Sequence, residues 1–121
     1  MAFLLDTNTL IQAKNDYYAF DLCPGFWDWL TAANETGTVH SIEPVLTEIR
    51  EGNDNLTEWA NERPPSFFLP VDAAATAKLP EVVSWVQAGD FREDAKRDFL
   101  AKADPVLIAY AMAHDCTLAT H

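Results

Sequence analysis

The chain has 121 residues, of which 49% are hydrophobic, and its formal net charge at pH 7 is −11. This length and composition indicate one folded domain and exclude an intrinsically disordered chain. The charge argues against a broad basic face for nucleic acid, and it allows either a carboxylate-rich site that needs cations or a basic partner protein. No apolar run is long enough to span a membrane and no signal peptide is recognisable. We therefore expect a cytoplasmic protein with two reduced cysteines.

The first predicted element is a buried strand that ends in a polar turn. Phe3-Leu4-Leu5 is an apolar run typical of a parallel sheet, and Asp6-Thr7-Asn8-Thr9 favours a turn and a helix start. A helix then begins with Leu10 and Ile11. Asp6 either caps this helix or serves as a metal-binding carboxylate at the ligand-binding edge of an α/β sheet.

The middle of the chain alternates helices and strands. The predicted elements are an ordered loop over 15–25, a helix over 26–35, a strand over 38–42, a helix over 44–52, a helix after a cap at 53–55, and a strand over 66–71. Pro70 places the last strand at a strand end or sheet edge. The helical spacing of Phe26, Trp27, Trp29 and Leu30 predicts that these side chains lie in the core.

The last part of the chain is predicted to be helical up to a final strand. Residues 72–102 indicate short helices interrupted by Pro80 and Gly89, with Trp85 packed inward. Asp104-Pro105 is a favoured helix start, and the helix that follows is apolar on every side, so we expect it to be buried. A strand over 116–120 should lie parallel to the first strand, because a right-handed crossover returns the chain to the sheet. The alternation predicts an α/β fold with a central parallel sheet.

Three carboxylates stand at the ends of these elements. Asp6 closes the first strand, Glu48 lies beside the apolar stripe of the helix after the second strand, and Asp104 starts the last helix. Elements that meet the carboxyl edge of a parallel sheet can converge there. A buried charge needs a partner, and an oxygen-only ligand set favours Mg²⁺ or Mn²⁺. The pattern therefore predicts a divalent metal site.

In these acidic segments the chain resembles the PIN-like domain family, the fold of VapC-type toxin ribonucleases. The resemblance rests on four stretches: Phe3–Ile11, Val45–Ile49, Ala103–Ala111 and Thr117–Thr120. The segment Tyr17–Trp27 is more similar to a less-studied PIN-like subgroup than to a typical VapC toxin. The resemblance implies one PIN-like domain over residues 1–121, built as a three-layer α/β/α sandwich.

The resemblance also implies an activity and a set of site residues. The protein would be an Mg²⁺- or Mn²⁺-dependent endoribonuclease, the toxin of a toxin–antitoxin pair, which hydrolyses RNA phosphodiesters and binds an antitoxin protein. The implied residues are Asp6, Glu48 and Asp104 as catalytic metal ligands, Asn8 and Thr120 as supporting residues, and Arg50, Lys96, Arg97 and Lys102 as phosphate contacts.

Two alternatives to this activity remain. In the family a further acidic or amide residue, a fifth strand and a terminal helix follow the fourth strand, whereas this sequence stops at His121. We therefore expect an incomplete ligand set and an unpaired sheet edge that promotes self-association or partner binding. The first alternative is accordingly a catalytically incomplete PIN-like module that binds a partner protein. The second, a phosphatase of the haloacid dehalogenase type, is disfavoured because Asn8 stands where its general acid would be.

Overall fold

The computed structural model describes residues 2–17, 23–52 and 54–119. In chain order its elements are β1 (Phe3–Leu5), α1 (Thr7–Gln12), a π-helical turn (Ala13–Tyr17), α2 (Pro24–Glu35), β2 (Val39–Ile42), α3 (Glu43–Gly52), α4 (Asn55–Asn61), β3 (Phe68–Leu69), α5 (Ala73–Ala88), α6 (Glu93–Leu100), α7 (Asp104–His114) and β4 (Thr117–Ala119). None of the helices in these ranges is both long and apolar enough to cross a membrane.

The four strands form one parallel sheet in the order β3-β2-β1-β4. Leu4 of β1 is paired with His40 on one side and with Leu118 on the other. The predicted α/β fold and the predicted position of β4 beside β1 are confirmed. The strand predicted over 66–71 contracts to two residues at the sheet edge, where Pro70 follows it. The predicted absence of a fifth strand and a terminal helix stays a prediction.

The core lies between the sheet and the helices that flank it, and it contains a chain of aromatic rings. Trp27 of α2 contacts Trp59 of α4 with ring centroids 4.9 Å apart, and Phe67 continues the contact at 5.3 Å from Trp59. These three residues are all buried. Edge-to-face ring pairs of this kind stabilise a core beyond the area that they bury. They also join α2 and α4 to the edge of the sheet at β3.

Two other tryptophans do not join the core, contrary to prediction. Trp29 is 59% exposed and Trp85 is 65% exposed. Trp29 lies two residues after Trp27 on α2, so it faces another side of that helix from the buried ring. The last helix is also less buried than predicted, since Met112 is 48% exposed while Leu107 is fully buried. Apolar character alone did not distinguish the covered side of these helices from the open one.

Two predicted helix boundaries are wrong, and one helix that begins where it was predicted has a different N-cap. α5 runs without a break through Pro80, where packing against α7 offsets a cost of about 3 kcal/mol for an interior proline. α2 begins at Pro24, which suits the first helical turn, so the predicted loop ends earlier than expected. Ala103 rather than Asp104 is the N-cap of α7, and the Asp104 side chain makes no capping hydrogen bond. Part of the predicted loop, residues 18–22, lies outside the described residues.

A buried asparagine joins α2 to the sheet. Asn34 is 3% exposed, and its Nδ2 donates to the carbonyl oxygens of Val39 at 2.9 Å and of Ser66 at 3.1 Å. Val39 begins β2, and Ser66 lies two residues before β3. One side chain therefore supplies donors to carbonyl groups of two segments that approach the sheet.

We expect Asn34→Ala to lower the free energy of unfolding by about 1–3 kcal/mol, because it removes the buried donor to the Val39 carbonyl and one of two donors to the Ser66 carbonyl, which also accepts from His40 Nδ1 at 2.8 Å. Asn34→Asp should lower it further, because a carboxylate would then face carbonyl oxygens. Urea unfolding followed by tryptophan fluorescence measures both changes. Glu35→Ala, an exposed change at the next position of α2, is the control and should stay within about 0.5 kcal/mol of the parent. A loss in Asn34→Ala no larger than in this control would contradict the expectation.

Candidate active site

The turn between β1 and α1 places Asp6 at the carboxyl edge of the sheet. Asp6 is 8% exposed and is the N-cap of α1, where its Oδ1 accepts a hydrogen bond of 2.7 Å from the backbone N–H of Thr9. The capping role considered from the sequence is therefore confirmed. Because a carboxylate has further lone pairs, a cap can still offer oxygen to another group.

A buried serine, which the sequence reasoning missed, holds the end of β1. The paired register of β1 with β2 ends at Leu4 and His40, and the next residue of β2, Ser41, donates its hydroxyl to the carbonyl oxygen of Leu5 at 2.7 Å. Ser41 is fully buried. Its side chain thus continues the link between the two strands up to the residue before Asp6. A serine between apolar positions of the strand, followed directly by Ile42, was the signal available in the sequence.

Glu48 connects the two turns that carry the other acids. Its Oε1 accepts a hydrogen bond of 2.5 Å from the hydroxyl of Thr7, and its Oε2 accepts one of 2.8 Å from the backbone N–H of Ala103. Thr7 directly follows Asp6, and Ala103 directly precedes Asp104. The carboxylate of α3 therefore ties the start of α1 to the start of α7. Both of its oxygens are engaged by donors of the chain itself.

Asp104 is electrostatically coupled to the other two acids. Partial burial raises the pKa of its carboxyl group, and repulsion from Asp6 and then from Glu48 raises it further, while Lys102 opposes the shift. Asp6 and Glu48, 98 and 56 positions before Asp104 in the sequence, are thus close enough for their charges to act on its carboxyl group.

Glu48 and Asp104 line a cleft of about 850 Å³. Its walls come from the start of α1, one side of α3 and the segment before α7, and its lining residues are Thr7, Asn8, Glu43, Pro44, Thr47, Glu48, Glu51, Val71, Ala101, Lys102, Ala103, Asp104 and Val106. Asp6 is not part of this lining. Glu43, Thr47 and Glu51 were missed from the sequence, although their four-residue spacing on α3 places them on one side of that helix. Lys102 is the one basic residue among the described residues that line the cleft.

The other predicted residues are distributed differently. Arg50 lines a neighbouring groove, whereas Lys96 lines a separate apolar cavity and donates to the carbonyl oxygen of Gln87 at 2.9 Å. Arg97 is exposed on α6 and lines neither the cleft nor the neighbouring groove. Asn8 lines the cleft, its supporting role stays a prediction, and Thr120 lies outside the described residues. The structure therefore brings Lys102 to the acids but not Lys96 or Arg97.

The donor chemistry of the cleft fits a hard divalent cation. Its candidate ligands are all carboxylate oxygens, and their mutual repulsion would be relieved by a positive ion. Within residues 2–17, 23–52 and 54–119, however, no three His, Cys, Asp or Glu side chains are already grouped tightly enough to hold a metal ion. The metal ligands predicted from the sequence stay a prediction.

Known proteins share this fold. The crystal structure described as VapBC2 from Rickettsia felis bound to a DNA fragment from their promoter superposes with a TM-score of 0.63 and 18% identity, over 99% of this chain and 86% of that chain. The predicted PIN-like fold is thereby confirmed. No curated protein sequence matches the chain. The family model described as "Domain of unknown function (DUF4411)" matches residues 3–121, and the chain belongs to that family.

Proposed function

We propose that this chain is an endoribonuclease that depends on Mg²⁺ or Mn²⁺ and acts as the toxin of a toxin–antitoxin pair. The observation that carries the proposal is an acidic cleft on the carboxyl edge of a parallel sheet, lined by Glu48 and Asp104, with Asp6 close enough to act on the carboxyl group of Asp104. Ligands of open α/β folds bind at this edge. The fold shared with a VapBC2 structure supports a nuclease with this architecture.

The three acids and one lysine have separate roles in this proposal. Asp6 and Asp104 would hold the principal cation, and Glu48 keeps their two turns in place through Thr7 and Ala103. When bound, the cation would polarise a phosphoryl oxygen and lower the pKa of an attacking water. Lys102, which faces Asp104, would contact the substrate phosphate.

The antitoxin part of the proposal rests on the comparison and on charge. The similar structure contains VapBC2, a name that covers a pair of proteins, on DNA. A partner with basic segments suits a chain with a net charge of −11.

The second candidate function is a PIN-like module that acts by binding a partner without catalysis. The observation in its favour is that both oxygens of Glu48 are already engaged by Thr7 and Ala103. A carboxylate whose two oxygens already accept hydrogen bonds from the chain holds the site together without a metal ion.

We expect Asp104→Asn to reduce cleavage of single-stranded RNA on the order of 100-fold or more, because it removes charge that holds the cation. Cleavage of a fluorescent RNA in Mg²⁺, in Mn²⁺ and in EDTA measures the effect. Asp98→Asn, on the exposed surface of α6, is the control with the same chemical change and should keep the parent rate. Parent activity in Asp104→Asn, or undiminished activity in EDTA, would rule out the metal mechanism. A parent protein that cleaves no RNA with either metal ion would leave the binding module as the better account.

The same substitution should raise stability when no divalent cation is present. The pKa of Asp104 is raised in the folded protein, so its ionised form opposes folding above that pKa, and the penalty disappears as the pH falls through it. Asp104→Asn should therefore raise the thermal midpoint at pH 7 by a few degrees and leave it unchanged in acid. Differential scanning fluorimetry across pH measures this difference.

Added Mn²⁺ should then stabilise the parent protein and the Asp98→Asn control, but not Asp104→Asn, because a ligand stabilises the state that binds it. Equal Mn²⁺-induced shifts in all three proteins would place the bound ion elsewhere on the acidic surface.

A further inference from the structure

A second groove adjoins the acidic cleft on the other side of α3. It has a volume of about 360 Å³ and is lined by Glu43, Leu46, Arg50, Ala60, Asn61, Arg63, Pro64, Pro65, Phe68 and Pro70. Glu43 is the one described residue that lines both this groove and the cleft. Thr47 and Glu51 of α3 face the cleft, while Leu46 and Arg50 face the groove. The helix is thus a ridge between two cavities that meet at its first residue.

The groove differs from the cleft in charge. Two guanidinium groups and a single carboxylate lie among its described lining residues, whereas the cleft contains four carboxylates and one lysine. Three basic residues of the chain, Arg50, Arg97 and Lys102, have no ion pair among the described residues. Arg50 lies in the groove and Lys102 in the cleft. Basic side chains that form no ion pair with a described residue therefore lie on both sides of α3.

The two arginines of the groove are held in different ways. Arg63 is largely covered: its Nε donates to the carbonyl oxygen of Trp59 at 3.0 Å, and its guanidinium lies over the Trp59 ring, 4.8 Å from the centroid. Arg50 is exposed, and its Nε donates to Oδ1 of Asn61 at 2.9 Å. Both terminal nitrogens of Arg50 stay without a partner among the described residues. An oriented guanidinium with a free fork matches the geometry of a phosphate group.

The shared residue, Glu43, suits a sugar better than a phosphate. It is exposed, and no described residue bonds its carboxylate. A carboxylate repels a phosphate but accepts a hydrogen bond from a ribose 2′-hydroxyl, the group that distinguishes RNA from DNA. Glu43 and Arg50 are seven residues apart on the same helix, which places them two turns or about 10 Å from each other. A single RNA strand that crosses α3 could then contact Glu43 through a sugar and Arg50 through a phosphate.

We propose that a single-stranded RNA crosses α3 at Glu43, with the scissile phosphate in the cleft and the adjacent nucleotide in the groove. Arg50 binds the phosphate of that nucleotide, and Glu43 accepts a hydrogen bond from the 2′-hydroxyl between the two phosphates. Pro64 and Pro65 offer a flat apolar surface to the base. This inference rests on the proposed ribonuclease function and adds a specificity-determining residue and a positioning residue to it.

Binding of a fluorescent RNA and of the same sequence as DNA, measured by anisotropy in the Asp104→Asn background with Mg²⁺, tests the proposal. Arg50→Gln should weaken RNA binding about 10-fold, reduce the salt slope by about one, and weaken DNA binding equally. Arg50→Lys should keep the salt slope with an intermediate affinity, because it retains the charge without the fork. Arg92→Gln, which removes an exposed arginine on the loop before α6, should change neither affinity nor slope.

The role of Glu43 has a separate signature. Glu43→Ala should weaken RNA binding several-fold without weakening DNA binding, so the preference for RNA falls. Glu51→Ala removes the same charge from the cleft side of α3 and should change RNA and DNA binding by equal factors. Equal effects of Glu43→Ala on RNA and DNA would overturn the 2′-hydroxyl contact.

Kinetics separate this inference from the proposed function. With Asp104 intact, Arg50→Gln should raise KM for RNA about 10-fold and leave kcat unchanged. RNA cleavage that depends on Asp104 but shows the parent KM in Arg50→Gln would overturn the groove and leave the nuclease intact. A parent protein that neither binds nor cleaves RNA would overturn both.

Discussion

The site depends on the carboxylate of Glu48 more than on any other group. It accepts from Thr7, 41 positions away, and from the backbone of Ala103, 55 positions away. Hydrogen bonds to a charged group contribute roughly 1.5–3 kcal/mol each, and here they connect the starts of two helices. Those starts carry Asp6 and Asp104. The positions of the two proposed metal ligands relative to each other therefore depend on a third acid in the middle of the chain.

The arrangement stabilises the fold while it concentrates like charge. Asp6 caps α1 and Glu48 bridges two helix starts, yet burial and then the charges of these two carboxylates raise the pKa of Asp104. At 18% identity the VapBC2 structure shares the fold and no more. The argument for an RNA-cleaving activity in this DUF4411 member accordingly rests on the cleft itself.

Much of the fold was predictable from local patterns, and the failures have physical causes. The apolar run of β1, the polar turn at Asp6 and the parallel position of β4 follow from burial, turn chemistry and chain connectivity. Pro80 was expected to interrupt a helix, but packing between α5 and α7 overrides the local penalty. Trp29 and Trp85 were expected in the core, but apolar character does not reveal which side of a helix its neighbours cover.

The sequence by itself determined the type of fold, because strand burial, capping and helix starts are short-range properties of adjacent residues, and it predicted the three acids as site residues. Only the tertiary structure showed how the acids are held and what surrounds them. The Ser41 bond to Leu5 and the two bonds of Glu48 join segments 36 to 55 positions apart. The placement of Glu43 between the cleft and the groove likewise depends on how α3 packs against its neighbours. Contacts of this range leave no periodic trace in a single sequence, because the partners come together only when the whole chain packs.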